Sequence, residues 1–198
     1  MPESDMQIVS LTPALVAGSP NLWRALGMLG VVTLLLGGTQ AQSPTAGEYQ
    51  IKAAFLYNFA KFVEWPASGF LDASAPLKIC VLGQDPFGQS LRDITNGKTV
   101  SGRKLEINQV VDLERARSCH ILFIASSEKT QLKQILESLR GSDALTVGDT
   151  LGFAEQGVMI NLLLEENRVL FAVNRKAAEQ AGLKISSKLL SVAKVVIG

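Results

Sequence analysis

The sequence is poor in the residues that catalytic and metal centres use. It contains one histidine, two cysteines and almost balanced charge, with 19 basic and 18 acidic residues. One histidine and two distant cysteines do not supply a closed tetrahedral metal site. No dinucleotide-binding glycine motif, phosphate-binding loop or GxSxG nucleophile motif occurs. The sequence therefore disfavours an enzyme, and we expect no catalytic residue, metal or cofactor.

The charge and the histidine narrow the function classes further. A net charge of +1 gives no strong field that favours nucleic acid. His120 follows Cys119 at the start of an apolar run, where adjacent strand residues point to opposite faces. We therefore expect His120 to be structural and not half of a catalytic dyad.

The N-terminus predicts export. The run at 25–37, ALGMLGVVTLLLG, is uncharged, follows Arg24, and precedes Thr39 and Ala41, which fit a small-x-small cleavage pattern. The run is shorter than the roughly 20 residues that a spanning helix needs. We interpret 1–41 as a secretory signal peptide, and the localisation as periplasmic.

The segment upstream of that run leaves two alternatives open. It carries Glu3 and Asp5 where a signal peptide has a positive region. Either the true start is later, with Met6 a candidate, or the segment stays attached as an anchor.

The two cysteines, Cys80 and Cys119, have two interpretations. In an exported protein an even pair favours a disulfide. The alternative is two buried free thiols, since cysteine packs as a small hydrophobic residue.

The remaining chain alternates strand and helix patterns, which predicts crossover connections and a largely parallel sheet. An antiparallel hairpin is predicted at 157–173, and a final helix from Ser186 or Ser187 to Val196. We predict one α/β domain at 48–198, a three-layer sandwich of Rossmann or flavodoxin-like type. The predicted strands lie at 78–83, 104–111, 120–125 and 144–148, and the main helices between them at 86–95 and 128–140.

A ligand crevice is predicted where the parallel strands end, because open α/β sheets bind ligands outside the carboxyl ends of their strands. The alternative is ordinary turn and helix-capping chemistry. The residues at these ends are Gln84, Asp85, Ser126, Ser127 and Asp149.

The segment FLYNFAKFVEWP, residues 55–66, forms the end of an opening helix. At 100° per residue, one arc is apolar and predicts the core face; Lys52 falls inside it and is expected to extend outward to solvent. The arc contains Ile51, Phe55, Leu56, Phe59, Phe62 and Val63.

Beside that arc lies a second strip with Asn58, Lys61 and Trp65. Lys61 precedes Trp65 by four residues, a spacing that allows a cation–π contact. The strip predicts either a partner-binding surface or an amphipathic margin in which Asn58 bonds a buried backbone group.

Three stretches, at 52–66, 78–88 and 181–196, closely resemble the YfiR-like family of exported bacterial proteins, and the resemblance covers the whole mature chain. It implies a non-catalytic periplasmic regulator that binds the sensor domain of an inner-membrane diguanylate cyclase and represses it, so controlling cyclic di-GMP and biofilm formation. It also implies an OmpA-like outer-membrane lipoprotein as antagonist and a homodimer. The alternative is a small-ligand sensor or receptor subunit for a histidine kinase or an uptake system.

The resemblance also carries over to single residues. Cys80 and Cys119 match the family's disulfide pair, while a second pair found in some members has no counterpart here. Asn58, Lys61, Trp65 and Pro66 match the helix that ends in WP, and Asn174, Ser186, Ser187 and Leu190 match the C-terminal motif.

Overall fold

The structure is a computed structural model that describes residues 46–198. The predicted signal peptide, residues 1–41, lies outside the described residues. The elements are α1 (Ala46–Phe62), β1 (Val63–Glu64), β2 (Leu77–Leu82), α2 (Ser90–Thr95), β3 (Thr99–Val100), β4 (Arg103–Val110), α3 (Leu113–Ala116), β5 (Ile121–Ile124), α4 (Leu132–Ser138), β6 (Leu145–Gly148), β7 (Ile160–Glu165), β8 (Arg168–Asn174), α5 (Arg175–Gln180), β9 (Lys184–Ile185), α6 (Ser187–Leu190) and β10 (Val195–Ile197), with 3₁₀ turns at Ala67–Gly69 and Ser126–Gln131.

The main sheet has eight strands in the order β10-β8-β7-β6-β5-β2-β4-β3. Its pairs are parallel except for the hairpin β7–β8 and the short pair β3–β4. The predicted mostly parallel α/β sheet with an antiparallel hairpin is confirmed.

Helices cover both faces of the sheet, and its central strands are accordingly apolar on both sides. Ile79 and Val81 of β2 join the core cluster that includes buried residues of α1, α2, α5 and α6. Cys80 and Leu82 join the opposite cluster, with buried residues of α3 and α4. This arrangement gives the predicted three layers.

A tight turn joins the two strands of the predicted hairpin. Glu166 and Asn167 connect β7 to β8 with φ of 46° and 60°. Positive φ at both positions matches a type I′ turn, whose twist suits two antiparallel strands.

The predicted final helix is wrong in its second half. Helix α6 ends at Leu190, and Val195–Ile197 instead forms β10, a parallel edge strand on β8. β-branched residues favour a strand, and pairing with β8 satisfies their backbone groups.

A second, two-stranded sheet fixes the end of α1. Val63 pairs with Ile185 and Glu64 with Lys184, in antiparallel register. The predicted helix therefore stops at Phe62, before its apolar pattern ends.

Candidate functional site

The predicted partner strip, formed by Asn58, Lys61 and Trp65, does not lie on a single helix, because α1 ends at Phe62. Trp65 lies beyond the helix and is half-buried, and its Nε1 donates a hydrogen bond to the backbone oxygen of His120 at 3.1 Å. The same oxygen accepts a bond from the N–H of Leu145 at 2.8 Å. Trp65 thus joins the WP segment to the start of the central strand β5, which is a structural role.

His120 is buried at 6% exposure and uses both ring nitrogens. The N–H of Lys78 donates to Nδ1 at 3.0 Å, so the proton of the neutral ring lies on Nε2, which donates to the oxygen of Gly69 at 3.1 Å. Burial, the largest cause, lowers the pKa of His120, and Lys78 and Arg103 act in the same direction. The expectation of a structural histidine agrees with this geometry.

An aromatic stack completes the surroundings of His120. The Phe70 ring lies 4.3 Å from the imidazole, nearly parallel to it, and the Arg103 guanidinium lies 3.8 Å from the Phe70 ring centre. Arg103 also donates to the backbone oxygens of Asp72 and Ala75. His120 and Arg103 therefore hold the loop between β1 and β2 against the sheet.

The four-residue spacing of Lys61 and Trp65, which allowed a cation–π contact, does not produce one among the described residues. Lys61 Nζ instead lies 5.3 Å from the Tyr57 ring centre, and Lys98 Nζ lies 4.6 Å from the same ring. The helical spacing fails because α1 ends at Phe62. Lys61 thereby belongs to a basic surface shared with the turn before β3.

Asn58 is half-buried on α1, one residue after Tyr57. Among the described residues, its side chain has no hydrogen bond to a buried backbone group, which was the structural alternative. Asn58 and Lys61 are the members of the strip whose polar ends are open to a partner.

The predicted crevice residues Gln84, Asp85 and Ser127 lie in turn and cap positions. The Gln84 N–H donates to Ser127 Oγ at 3.0 Å, and the Phe87 N–H donates to Asp85 Oδ1 at 2.8 Å. Gly83, at φ +89°, allows this contact, since a Cβ there would overlap the Ser127 hydroxyl. Ser126 is exposed and opens the 3₁₀ turn after β5.

Asp149, the fifth crevice residue, is instead enclosed by the first turns of α1. Lys52 Nζ lies 2.7 Å from Asp149 Oδ2 and 2.5 Å from Glu48 Oε1. The Tyr49 hydroxyl donates to the same Asp149 oxygen at 2.8 Å. The carboxylate of Asp149 thus belongs to a buried ion-pair cluster, and its place in the predicted crevice stays a prediction.

Lys52 does not extend outward as expected, because it is 3% exposed. Ile51, expected in the core, is 47% exposed. Burial of an ammonium group requires charged partners, and Glu48 and Asp149 supply them. Burial raises the pKa of Tyr49, and the charge of Asp149 and its hydrogen bond to the hydroxyl raise it further.

Glu48, Tyr49 and Lys52 are the members of this polar cluster that sequence reasoning missed. One signal was present: a lysine on the apolar arc of a helix. Its carboxylate partner, 97 residues away, was identified only as a strand-end residue.

The disulfide between Cys80 and Cys119 is present, with Cα atoms 6.0 Å apart and a sequence separation of 39. It joins β2 to the residue before His120. This confirms the pairing that the exported character and the family resemblance favoured.

The C-terminal motif residues act within the fold. Asn174 Oδ1 accepts from the Ala177 N–H at 3.0 Å, and its Nδ2 donates to the Ala154 oxygen at 2.9 Å. Ser186 Oγ caps α6 by accepting from the Leu189 N–H. These hydrogen bonds give Asn174 and Ser186 roles in fixing the starts of α5 and α6.

Two further properties concern residues 46–198 only. No helix there combines the length and apolar character needed to cross a membrane. No cluster of histidine, cysteine and acidic residues in this range has the composition of a metal site.

The fold is similar to solved structures of low sequence identity. A conserved domain protein from Vibrio cholerae O1 biovar El Tor str. N16961 matches with a TM-score of 0.50 and 12% identity, over 75% of this chain and 60% of that one. An ABC domain from Streptococcus pneumonia, solved in complex with L-Trp, matches with a TM-score of 0.49 and 11% identity over the same shares. This chain thus spans about 60% of the length of each, and the first likeness supports the α/β fold alone.

The family comparison is more specific. The YfiR/HmsC-like family matches residues 49–194, a range that begins at Tyr49 within α1 and includes the disulfide, His120 and the C-terminal motif. The chain belongs to the YfiR/HmsC-like family.

Proposed function

We propose that this protein is a periplasmic regulator that represses an inner-membrane diguanylate cyclase by binding its periplasmic sensor domain. The family match over residues 49–194 carries the proposal. Family membership implies a YfiR-like regulatory role, and the family's members are generally regulators and not enzymes. Repression would lower cyclic di-GMP and limit biofilm formation.

The disulfide supports a location in the periplasm. Bonds such as Cys80–Cys119 persist in oxidising compartments and are rare in the cytosol. The apolar run at 25–37, with its small residues at Thr39 and Ala41, supports export to that compartment.

The contact surface for the cyclase is proposed around Asn58 and Lys61. Both are on α1, and Lys61 is exposed. Trp65, three residues beyond α1, is anchored to the start of β5 by its bond to His120. We further propose a homodimer and an OmpA-like outer-membrane lipoprotein as the antagonist that releases the cyclase.

Deletion of the gene in the native host tests the proposal. We expect cyclic di-GMP and surface attachment to rise, and a plasmid copy of the wild-type gene to restore both. A complementing copy with Lys61→Glu should fail, while Lys129→Glu, an exposed change on the opposite face, should succeed. Unchanged cyclic di-GMP after deletion, in a host that encodes the cyclase, would refute repression.

A second candidate function is a small-ligand sensor. Thr150 Oγ1 and Asn161 Oδ1 are buried, without a hydrogen-bond partner among the described residues. Thr150 follows Asp149 in sequence, and Asn161 pairs in the sheet with Gly148, the residue before Asp149. Buried acceptors of this kind are normally satisfied, so a small donor molecule would suit them. A thermal-shift screen tests this: a stabilising compound whose effect is lost in Thr150→Val favours ligand binding at these atoms, and no shift with any compound counts against it.

A further inference from the structure

The strand β4 has an open edge. On one side, Leu105–Val110 pairs with β2 throughout. On the other side β3 pairs only with Lys104 and Arg103. In a strand, alternate residues direct their N–H and C=O groups to opposite sides, so within residues 46–198 the outward-facing backbone groups of 105–110 have no strand partner along this edge.

A groove of about 490 Å³ runs beside that edge. Its floor is formed by Leu105 and Ile107, which are only half-buried and project from the same face of β4. The end of α2 and the turn that leads into β3 form its wall, with Arg92 and Lys98. The groove, defined by these residues and Lys104, is called the β4-edge groove below.

The charge of the β4-edge groove is positive. Arg92, Lys98 and Lys104 line it with one carboxylate, Asp93. The strand adds a second carboxylate, the exposed Glu106, so three cations still face two carboxylates. Among residues 46–198, the ion pairs involve none of these three cations. The Tyr57 ring, which contacts both Lys98 and Lys61, connects the groove to the exposed strip on α1.

We infer that the β4-edge groove binds an extended, acidic segment of a protein partner, which adds to the sheet as a strand beside β4. Backbone hydrogen bonds to 105–110 supply affinity, as in other strand-addition complexes. Alternate side chains of the segment then reach the apolar floor at Leu105 and Ile107, and its carboxylates reach Lys98 and Lys104. The inference rests on the proposed function, for which it names the chemistry of the partner.

Two observations favour a peptide over an anionic membrane. The floor of the groove is apolar, at Leu105 and Ile107, so that it suits the side chains of a peptide better than charged lipid headgroups. Binding to anionic lipid also relies on clusters of about four to eight basic residues near the surface, and the groove has three. The strand β10, at the opposite edge of the sheet, also exposes apolar side chains, Val195 and Val196. It suits an acidic segment less well, because the neighbouring Lys194 is already paired with Glu165.

The test uses labelled peptides of about eight residues in which glutamate alternates with valine, threonine or isoleucine, long enough to span 105–110. We expect anisotropy to show binding that weakens with added salt, and hydrogen exchange to show protection of β4 amides. Lys98→Glu with Lys104→Glu should weaken binding by about tenfold or more, equivalent to about 1.4 kcal/mol. The matched control, Lys129→Glu with Lys133→Glu, makes the same charge change on exposed positions around α4 and should bind as the wild type does.

Several results would overturn the inference. One is that wild-type protein with normal thermal unfolding binds no acidic peptide. Another is that a peptide N-methylated at alternate residues binds equally well. A third is that hydrogen-exchange protection appears at 195–197 instead of 105–110. Binding only to vesicles that contain phosphatidylglycerol would assign the groove to lipid. Because the peptide assay does not involve cyclic di-GMP, its failure is separable from a failure of the gene-deletion experiment.

Discussion

The Trp65 indole N–H donates to the backbone oxygen of His120, which also accepts from Leu145. Trp65, the first residue of the WP segment, is therefore tied to the point where β5 and β6 begin. This contact places Trp65 in the supporting structure and leaves Asn58 and Lys61 as the accessible part of the predicted strip. The two roles can be separated by mutation.

Trp65→Phe should lower the free energy of unfolding by about 1 kcal/mol, because one donor is lost while the His120 oxygen keeps its bond from Leu145. Urea denaturation measures the change. Trp65→Ala, which also removes the packing of the half-buried ring, should cost more than Trp65→Phe. Equal stability of wild type and Trp65→Ala would contradict a supporting role.

Lys61→Glu should leave the melting temperature within a degree or two of wild type, since Lys61 is exposed and its contact is with the Tyr57 ring. It should abolish binding to the cyclase sensor domain in a pull-down with purified proteins. Retained binding, or a clear loss of stability, would place Lys61 among structural residues.

Lys52→Met should destabilise the fold by about 3–5 kcal/mol, because it leaves Glu48 and Asp149 as buried carboxylates without their cation. Chemical denaturation of the variant provides the measurement. Adding Asp149→Asn to Lys52→Met should recover part of the loss, and an exposed control, Lys133→Met, should have little effect. A neutral Lys52→Met would show that the cluster does not hold α1.

Replacing both Cys80 and Cys119 by serine should lower the stability of the oxidised protein by about 4 kcal/mol, as chain entropy predicts for a loop of 39 residues. For a domain of this size the melting temperature should fall by roughly 8–16 °C. Calorimetry without reductant compares the two proteins. Dithiothreitol should move the wild type towards the variant, and should leave the variant unchanged.

His120 should make stability fall in acid. Its pKa is lowered in the fold, so below about pH 6.5 the unfolded state binds a proton that the native ring resists. The contribution is complete above that pH and is lost as pH falls through the folded pKa. Denaturation at pH 7.5 and pH 5 should show a smaller difference for His120→Gln than for wild type; an equal difference would assign the acid sensitivity to other groups.

Much of the fold was predictable because its central strands are short apolar runs bounded by turn residues. Helix α3, which Asp112 caps, and the hairpin turn at Glu166 and Asn167 were also predictable, because each depends on residues close together in sequence. The second half of the last segment was not, since Val195–Ile197 becomes a strand only through pairing with β8. Local pattern cannot supply a partner that lies elsewhere in the chain.

The candidate site divides in the same way. By itself, the sequence determined the class of the protein, the shortage of catalytic groups, the cysteine pair and the polar strip on α1, because each is a matter of composition or of spacing within one element. Only the tertiary structure decided that Trp65 bonds to His120, that Lys52 is buried against Asp149, and that the edge of β4 is open beside Lys98. These relations join residues far apart in sequence, and they exist because sheet pairing and burial bring such residues within contact distance.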